Sequence, residues 1–238
     1  PFDSVGVPLS HALNLFLPFV QKEAADLARY VYGATADREP ALAAFTPEAV
    51  RRMVQRYIKT PDLRFSPVEV PKGGGSKSKI RLEFFSKFLG RPLTVTDLLY
   101  YLAARATEGK YAYITRYPVE NYQSIFPAKV RLLSTYKTKE ETIDGVRFPE
   151  WPDVAGHSDA PEHAFLDTCL LNAAYLRTLG ADFDGDTISI RGLFTQEANA
   201  EAAAAVVSKK NLLDANGQNV RYVDSKEPVL ALYNLTRS

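Results

Sequence analysis

Apolar residues recur at helical spacing near the start of the chain. In VPLSHALNLFLPFVQKEAADLARYVYGA, Leu13, Phe16, Leu17 and Val20 share one helical face, and Leu27 and Val31 extend it. This pattern predicts a helix that is kinked or split at Pro18, which lacks a backbone donor and crowds the preceding turn. Gly33 is its predicted stop. TPEAVRRMVQRYI predicts a second helix, with Thr46 as N-cap and Pro47 at the first helical position. TVTDLLYYLAARATEG predicts a third, capped by Thr94 or Thr96. AFLDTCLLNAAYLRTL reads as a buried helix, TQEANAEAAAAVVSKKN as an alanine-rich helix capped by Thr195, and PVLALYNLTR as the start of a closing helix.

Between the helices the period changes. YAYITRYPVENYQSIFPAKVRLLST alternates and is rich in aromatic and β-branched residues, which predicts strand and loop. TISIRGL predicts a further strand. EETIDGVRFPEWPDVAGHSDAPEH reads as a polar insertion punctuated by prolines, and DANGQ as a turn. No internal repeat is visible. Short strands scattered among helices predict an α+β fold, a small barrel with helical insertions more than a doubly wound sheet.

Composition narrows the classes. The 238 residues are 46% hydrophobic and 24% charged, ordinary for a globular protein. The net charge of +1 leaves any nucleic-acid contact to local clusters. The single cysteine, Cys169, excludes an internal disulfide and fits a reducing compartment. No apolar run reaches the roughly 20 residues needed to span a bilayer. The chain opens on Pro1 without a polar leader, which is expected of a processed or excised piece of something longer.

One basic cluster lies in PKGGGSKSKIRLEFF, where glycines are flanked by Lys72, Lys77, Lys79 and Arg81. A phosphate loop would need Gly-Lys-Ser/Thr, and Ser76 stands where that glycine belongs. The stretch reads as a solvated loop, with a clamp on a nucleic-acid backbone as its functional alternative.

The strongest chemical signal is LGADFDGDTISI. Aspartates at 182, 184 and 186 are costly neighbours: at ~4 Å a like-charged pair repels by about 1 kcal/mol in water and about 4 near a protein surface. An EF-hand fails, because counting from Asp182 places glycine at the fourth position and Leu193 at the twelfth. An acidic turn leaves Phe183 and the following apolar strand without a role. A metal site accounts for more. Alternate residues of an extended segment share a side, so the three carboxylates could face one point while Phe183 anchors in the core. Gly185 would let the last carboxylate turn inward. All-oxygen ligands suit a hard divalent ion, most plausibly Mg²⁺, leaving positions for water and phosphate. Two such ions would activate an attacking hydroxyl and hold a leaving phosphate oxygen.

ADFDGD closely resembles the Asn-Ala-Asp-Phe-Asp-Gly-Asp signature of the largest (β′-type) subunit of multisubunit DNA-directed RNA polymerases. VGVPLSHALNLFLPFV resembles that family's Gly-Leu-Pro…Phe-Lys-Pro-Phe-Val block, and ITRYPVENY its Asn-Arg-Ala-Pro-Thr-Leu-His block. NLLDANGQ and EPVLALYNLTR are similar to the segments that follow the aspartates, all in the family's order. The resemblance implies a double-psi β-barrel, incomplete at its N-terminal strands, with helical insertions. Residues 1–238 would form a segment of the active-site barrel domain, with insertions in 33–110 and 133–178.

It further implies that Asp182, Asp184 and Asp186 hold the catalytic Mg²⁺, that a second Mg²⁺ arrives with the nucleoside triphosphate, and that Arg116 lies beside the substrate ribose. For Arg116 a strand-edge role beside a local carboxylate is the alternative. Implied partners are other polymerase subunits or the rest of a longer chain, a DNA template and the RNA product. The implied location is the cytoplasm, or host cytoplasm or virion for a phage-encoded enzyme.

Departures from the family are plain. Gly180 replaces the asparagine before the loop, removing a side-chain hydrogen bond expected at the ribose. Ser225, Lys226 and Glu227 replace a Ser-Gln-Asp. His157, Asp159 and His163 lie in the second insertion with no cysteine near, so a zinc site is not expected there. Divergence of this degree suits a phage-encoded or remote polymerase, inactive without the rest of the enzyme. Two rival readings are an RNA-templated polymerase of the two-barrel kind and a non-catalytic barrel or assembly module.

Overall fold

A computed structural model describes residues 3–32, 44–71, 77–79, 90–120, 122–143, 146–154, 164–207, 209–213 and 216–220. Gly33, most of the 72–81 basic stretch, the His157, Asp159 and His163 group, Ser225 to Glu227 and the predicted closing helix lie outside the described residues. In chain order the elements begin with β1 (Ser4–Pro8), α1 (Leu9–Leu15), α2 (Leu17–Tyr32), α3 (Pro47–Lys59), β2 (Glu69–Pro71), β3 (Lys77–Lys79) and α4 (Val95–Thr107). There follow β4 (Tyr111–Thr115), β5 (Ile125–Leu133), β6 (Thr138–Ile143), β7 (Val146–Pro152), α5 (Leu176–Leu179), β8 (Ser189–Gly192), α6 (Gln196–Val206) and α7 (Lys209–Leu212). This mixture agrees with the predicted α+β class. Among the described residues no helix is long and apolar enough to cross a membrane.

The chain divides into two compact units, one of residues 6–108 and 131–169, the other of 1–5, 109–130 and 170–238. The first of these is mainly helical. The predicted split near Pro18 occurs at Phe16, which ends α1 with its N–H donating to the Ala12 carbonyl at 2.9 Å. Pro18 then falls in the first turn of α2, where its missing N–H costs nothing. Helix α3 starts as predicted, with Thr46 Oγ1 accepting from the Ala49 N–H at 3.3 Å. It buries Val50, Val54 and Tyr57.

Thr94, not Thr96, caps α4. Its hydroxyl accepts from the Asp97 N–H at 3.2 Å while Asp97 Oδ2 accepts from the Thr94 N–H at 2.9 Å, a reciprocal capping box. Thr96 instead donates to the Arg64 carbonyl at 2.8 Å. Asp97 is fully buried, yet well partnered: Arg91 Nη2 donates to Oδ1 at 2.9 Å and Trp151 Nε1 at 3.2 Å. Tyr100 packs edge-on against Trp151 at 5.1 Å between ring centroids.

Two expectations are corrected here. The stretch read as a polar insertion contains an antiparallel hairpin of β6 and β7, and it delivers the fully buried Trp151 to Asp97. Beyond Ala164, the buried helix predicted across AFLDTCLLNAAYLRTL is helical only from Ala173 to Leu179, starting where Asn172 accepts from the Ala174 N–H at 3.0 Å. Upstream, Phe165 bridges Thr135 and the Leu166 N–H donates to the Ser134 carbonyl at 2.8 Å, which commits that backbone to extended pairing.

Trp151 is the only tryptophan, so its fluorescence reports this unit directly. Asp97→Ala strands Arg91 and Trp151 Nε1 and is expected to cost about 3 kcal/mol in urea unfolding followed at that residue; a loss below about 1 kcal/mol would refute the role given to Asp97. Burial pushes the Cys169 thiol up to about 11. Its alkylation by iodoacetamide is therefore expected to be slow at pH 8 and to accelerate as pH rises towards that value, whereas a free-cysteine rate at pH 8 would contradict its placement.

Candidate metal centre

The other unit carries a sheet ordered β1-β5-β4-β8. Strand β4 pairs antiparallel with β5 on one side and β8 on the other. Thr115, the last residue of β4, lies opposite Ser189, the first of β8. This register brings Arg116, just beyond one strand, beside the aspartate loop, just before the other. Ala112 and Ile114 are fully buried beneath, and Phe126 stacks on Tyr175 with ring centroids 3.9 Å apart.

Asn199 on α6 ties the opposite ends of the same two strands. Its Oδ1 accepts from the Tyr111 N–H at 2.7 Å, and its Nδ2 donates to the Leu193 and Thr195 carbonyls at 3.0 and 2.7 Å. Sequence reading passed over Asn199; the signal was an asparagine among the alanines of α6, on the side that also buries Ala202 and Val206.

The loop is entered through Gly180, whose φ of +57° ends α5 in the left-handed conformation that favours glycine. Asp182 Oδ1 then accepts from the Asp184 N–H at 3.2 Å, closing an aspartate turn. Gly185 follows at φ +117°, the bend expected of it. Asp186 Oδ2 accepts from the Asp182 N–H at 3.2 Å, and Asp186 Oδ1 accepts from Arg116 Nη2 at 3.0 Å. One carboxylate oxygen from each of Asp182, Asp184 and Asp186 lies within 4.8 Å of the others.

The three acids thus converge, but not as an extended strand. Phe183 is 71% exposed and anchors nothing, contrary to expectation. The reason is the turn: backbone hydrogen bonds to Asp182 and Asp186 curl the segment, so alternation no longer sorts side chains into core and solvent. Arg116 takes the local-carboxylate role, pairing with Asp186.

The crowding shows in proton affinity. The hydrogen bond from Asp184 holds Asp182 below the usual carboxylate range, and the same contact, with the charges of Asp182 and Asp186, pushes Asp184 up. The donor set suits a hard ion. Adjacent oxygens around an octahedral Mg²⁺ at about 2.1 Å stand about 3 Å apart, so three oxygens that lie within 4.8 Å of one another would be drawn closer by the ion.

No protein-family model matches the chain. Stretches of it are similar to DNA-directed RNA polymerase subunit β′. Identity is 40% over 68 residues with that of Treponema pallidum (strain Nichols), covering 28% of this chain and 5% of the relative. It is 44% over 69 residues with those of Stutzerimonas stutzeri (strain A1501) and Pseudomonas fluorescens (strain SBW25), covering 29% and 5%. The chain holds a β′-like segment. That segment corresponds to 5% of the length of the relatives it matches.

Because Phe183 is largely exposed, Phe183→Ser is expected to change thermal or urea stability by no more than about 0.5 kcal/mol. A core anchor would lose about 3–5 kcal/mol, and a loss of that size would return Phe183 to the interior.

Proposed function

We propose that this chain supplies part of the catalytic centre of a DNA-directed RNA polymerase. The observation that carries the reading is the meeting of three aspartate oxygens within 4.8 Å in a chain with a β′-like segment. Asp182, Asp184 and Asp186 would hold a Mg²⁺, and a second would accompany the nucleoside triphosphate. The ions would supply Lewis acidity to the RNA 3′ hydroxyl and the leaving pyrophosphate.

The chain's own residues set the geometry. The Asp182 turn and the Gly185 bend gather the carboxylates towards one point, a step towards the preorganisation electrostatic catalysis needs. Arg116, always charged and rich in donors, stands at the edge of that point and would face the substrate ribose.

On this reading the β1-β5-β4-β8 sheet belongs to a double-psi barrel whose remaining strands lie elsewhere in the polymerase. The predominantly helical unit, 6–108 and 131–169, contains most of 33–110 and 133–178, which would be inserted material beside its family-like first helices. Partners would be the other polymerase subunits or the rest of a longer chain, a DNA template and the growing RNA, in the cytoplasm. Gly180 in place of the family asparagine mildly favours the RNA-templated alternative, while the flanking blocks match the DNA-directed family better.

Asp184→Ala in the complete polymerase is expected to abolish extension on a DNA template, at least a thousandfold, with subunit assembly unchanged by size-exclusion chromatography. Activity within tenfold of wild type would reject the assignment. Extension on RNA templates alone would transfer it to the RNA-templated class.

A further inference from the structure

Both oxygens of Asp186 are engaged: Oδ2 by the Asp182 N–H, Oδ1 by Arg116 Nη2. Asp186 therefore presents its charge to a neighbouring cation already. The ion pair is well formed for a loop at the surface, with the two side chains 26% and 23% exposed.

We infer that Arg116 is the stand-in cation of the metal centre: its guanidinium neutralises Asp186 before the ion binds, and the ion must displace it. This rests on the metal reading above. A divalent ion on Asp186 and a guanidinium 3.0 Å from the same carboxylate would repel at close range, where screening by salt is least. Metal affinity is thereby lowered, and the vacant centre is spared the full repulsion of three acids.

Gly180 lies beside the guanidinium: a Cβ there would stand 3.8 Å from Arg116 Nη1, in ordinary van der Waals contact. Once displaced, Arg116 is an unpaired donor beside the ion, available to a hydroxyl or phosphate oxygen of the substrate. Arg116 is thus a positioning residue that links ion loading to substrate contact, and a ligand that takes the released guanidinium must tighten ion binding in return.

The test is Mn²⁺ binding to the whole 238-residue chain, read by the electron paramagnetic resonance of free Mn²⁺. Arg116→Gln is expected to bind Mn²⁺ about tenfold more tightly than wild type. Arg116→Met, which keeps the apolar stem, should match it, and Arg116→Lys should stay near wild type because it keeps the charge. Arg191→Gln is the control: Arg191 donates to the Tyr117 hydroxyl, not to the triad. Equal or weaker binding in both Arg116→Gln and Arg116→Met, with circular dichroism unchanged, overturns the inference and leaves the metal centre standing. Tightening of the same size in Arg191→Gln also overturns it, since net charge alone would then be responsible. Absence of saturable binding in wild type removes the metal centre and this inference together.

Discussion

Three carboxylates confined to a sphere a few ångströms wide must be balanced by something, and the local structure is organised around that demand. Two backbone N–H groups, those of Asp182 and Asp184, point inward at the acids. Arg116 neutralises the third carboxylate from across the sheet. Asp184 is left as the acid with raised proton affinity, the one whose repulsion is least compensated. The loop is therefore a cluster of like charges held together by backbone hydrogen bonds and one ion pair.

That arrangement depends on the strands beneath it. Arg116 and Asp186 are 70 residues apart, and only the antiparallel register of β4 and β8 makes them neighbours. A slip of one residue would send alternate side chains to the wrong face and separate the pair. Asn199 guards against such a slip at the other end, where a single amide binds the start of β4 and the exit of β8 through three hydrogen bonds. Precision at the surface is thus secured by a buried polar group beneath.

What could be read from the letters alone follows the range of the forces concerned. The caps at Thr46, Thr94 and Thr195 and the break near Pro18 are set by a few adjacent residues, and they were legible. Convergence of the aspartates was legible from their charge, but its mechanism was not, because alternation suggests a strand while Asp and Gly side by side also write a turn. The hairpin of β6 and β7 was hidden by its prolines and charges, although Asp-Gly between two β-rich runs marks such a turn. The predicted helix upstream of Ala173 failed because Ser134 and Thr135, some 30 residues earlier, claim its backbone. The division into two units was beyond reach altogether, since each is assembled from segments remote in the chain.

That interleaving sets an order of events on the ribosome. The helical unit is complete in sequence once residue 169 has been made, whereas the sheet unit still awaits everything after it, including the aspartate loop and β8. Emerging chains fold in units as their parts become available, so the helical unit can settle first. Residues 109–130, left between its two pieces, then wait as a tethered loop for the late strand that gives Arg116 its carboxylate. The acidic loop consequently meets its counter-charge only when β8 pairs with β4.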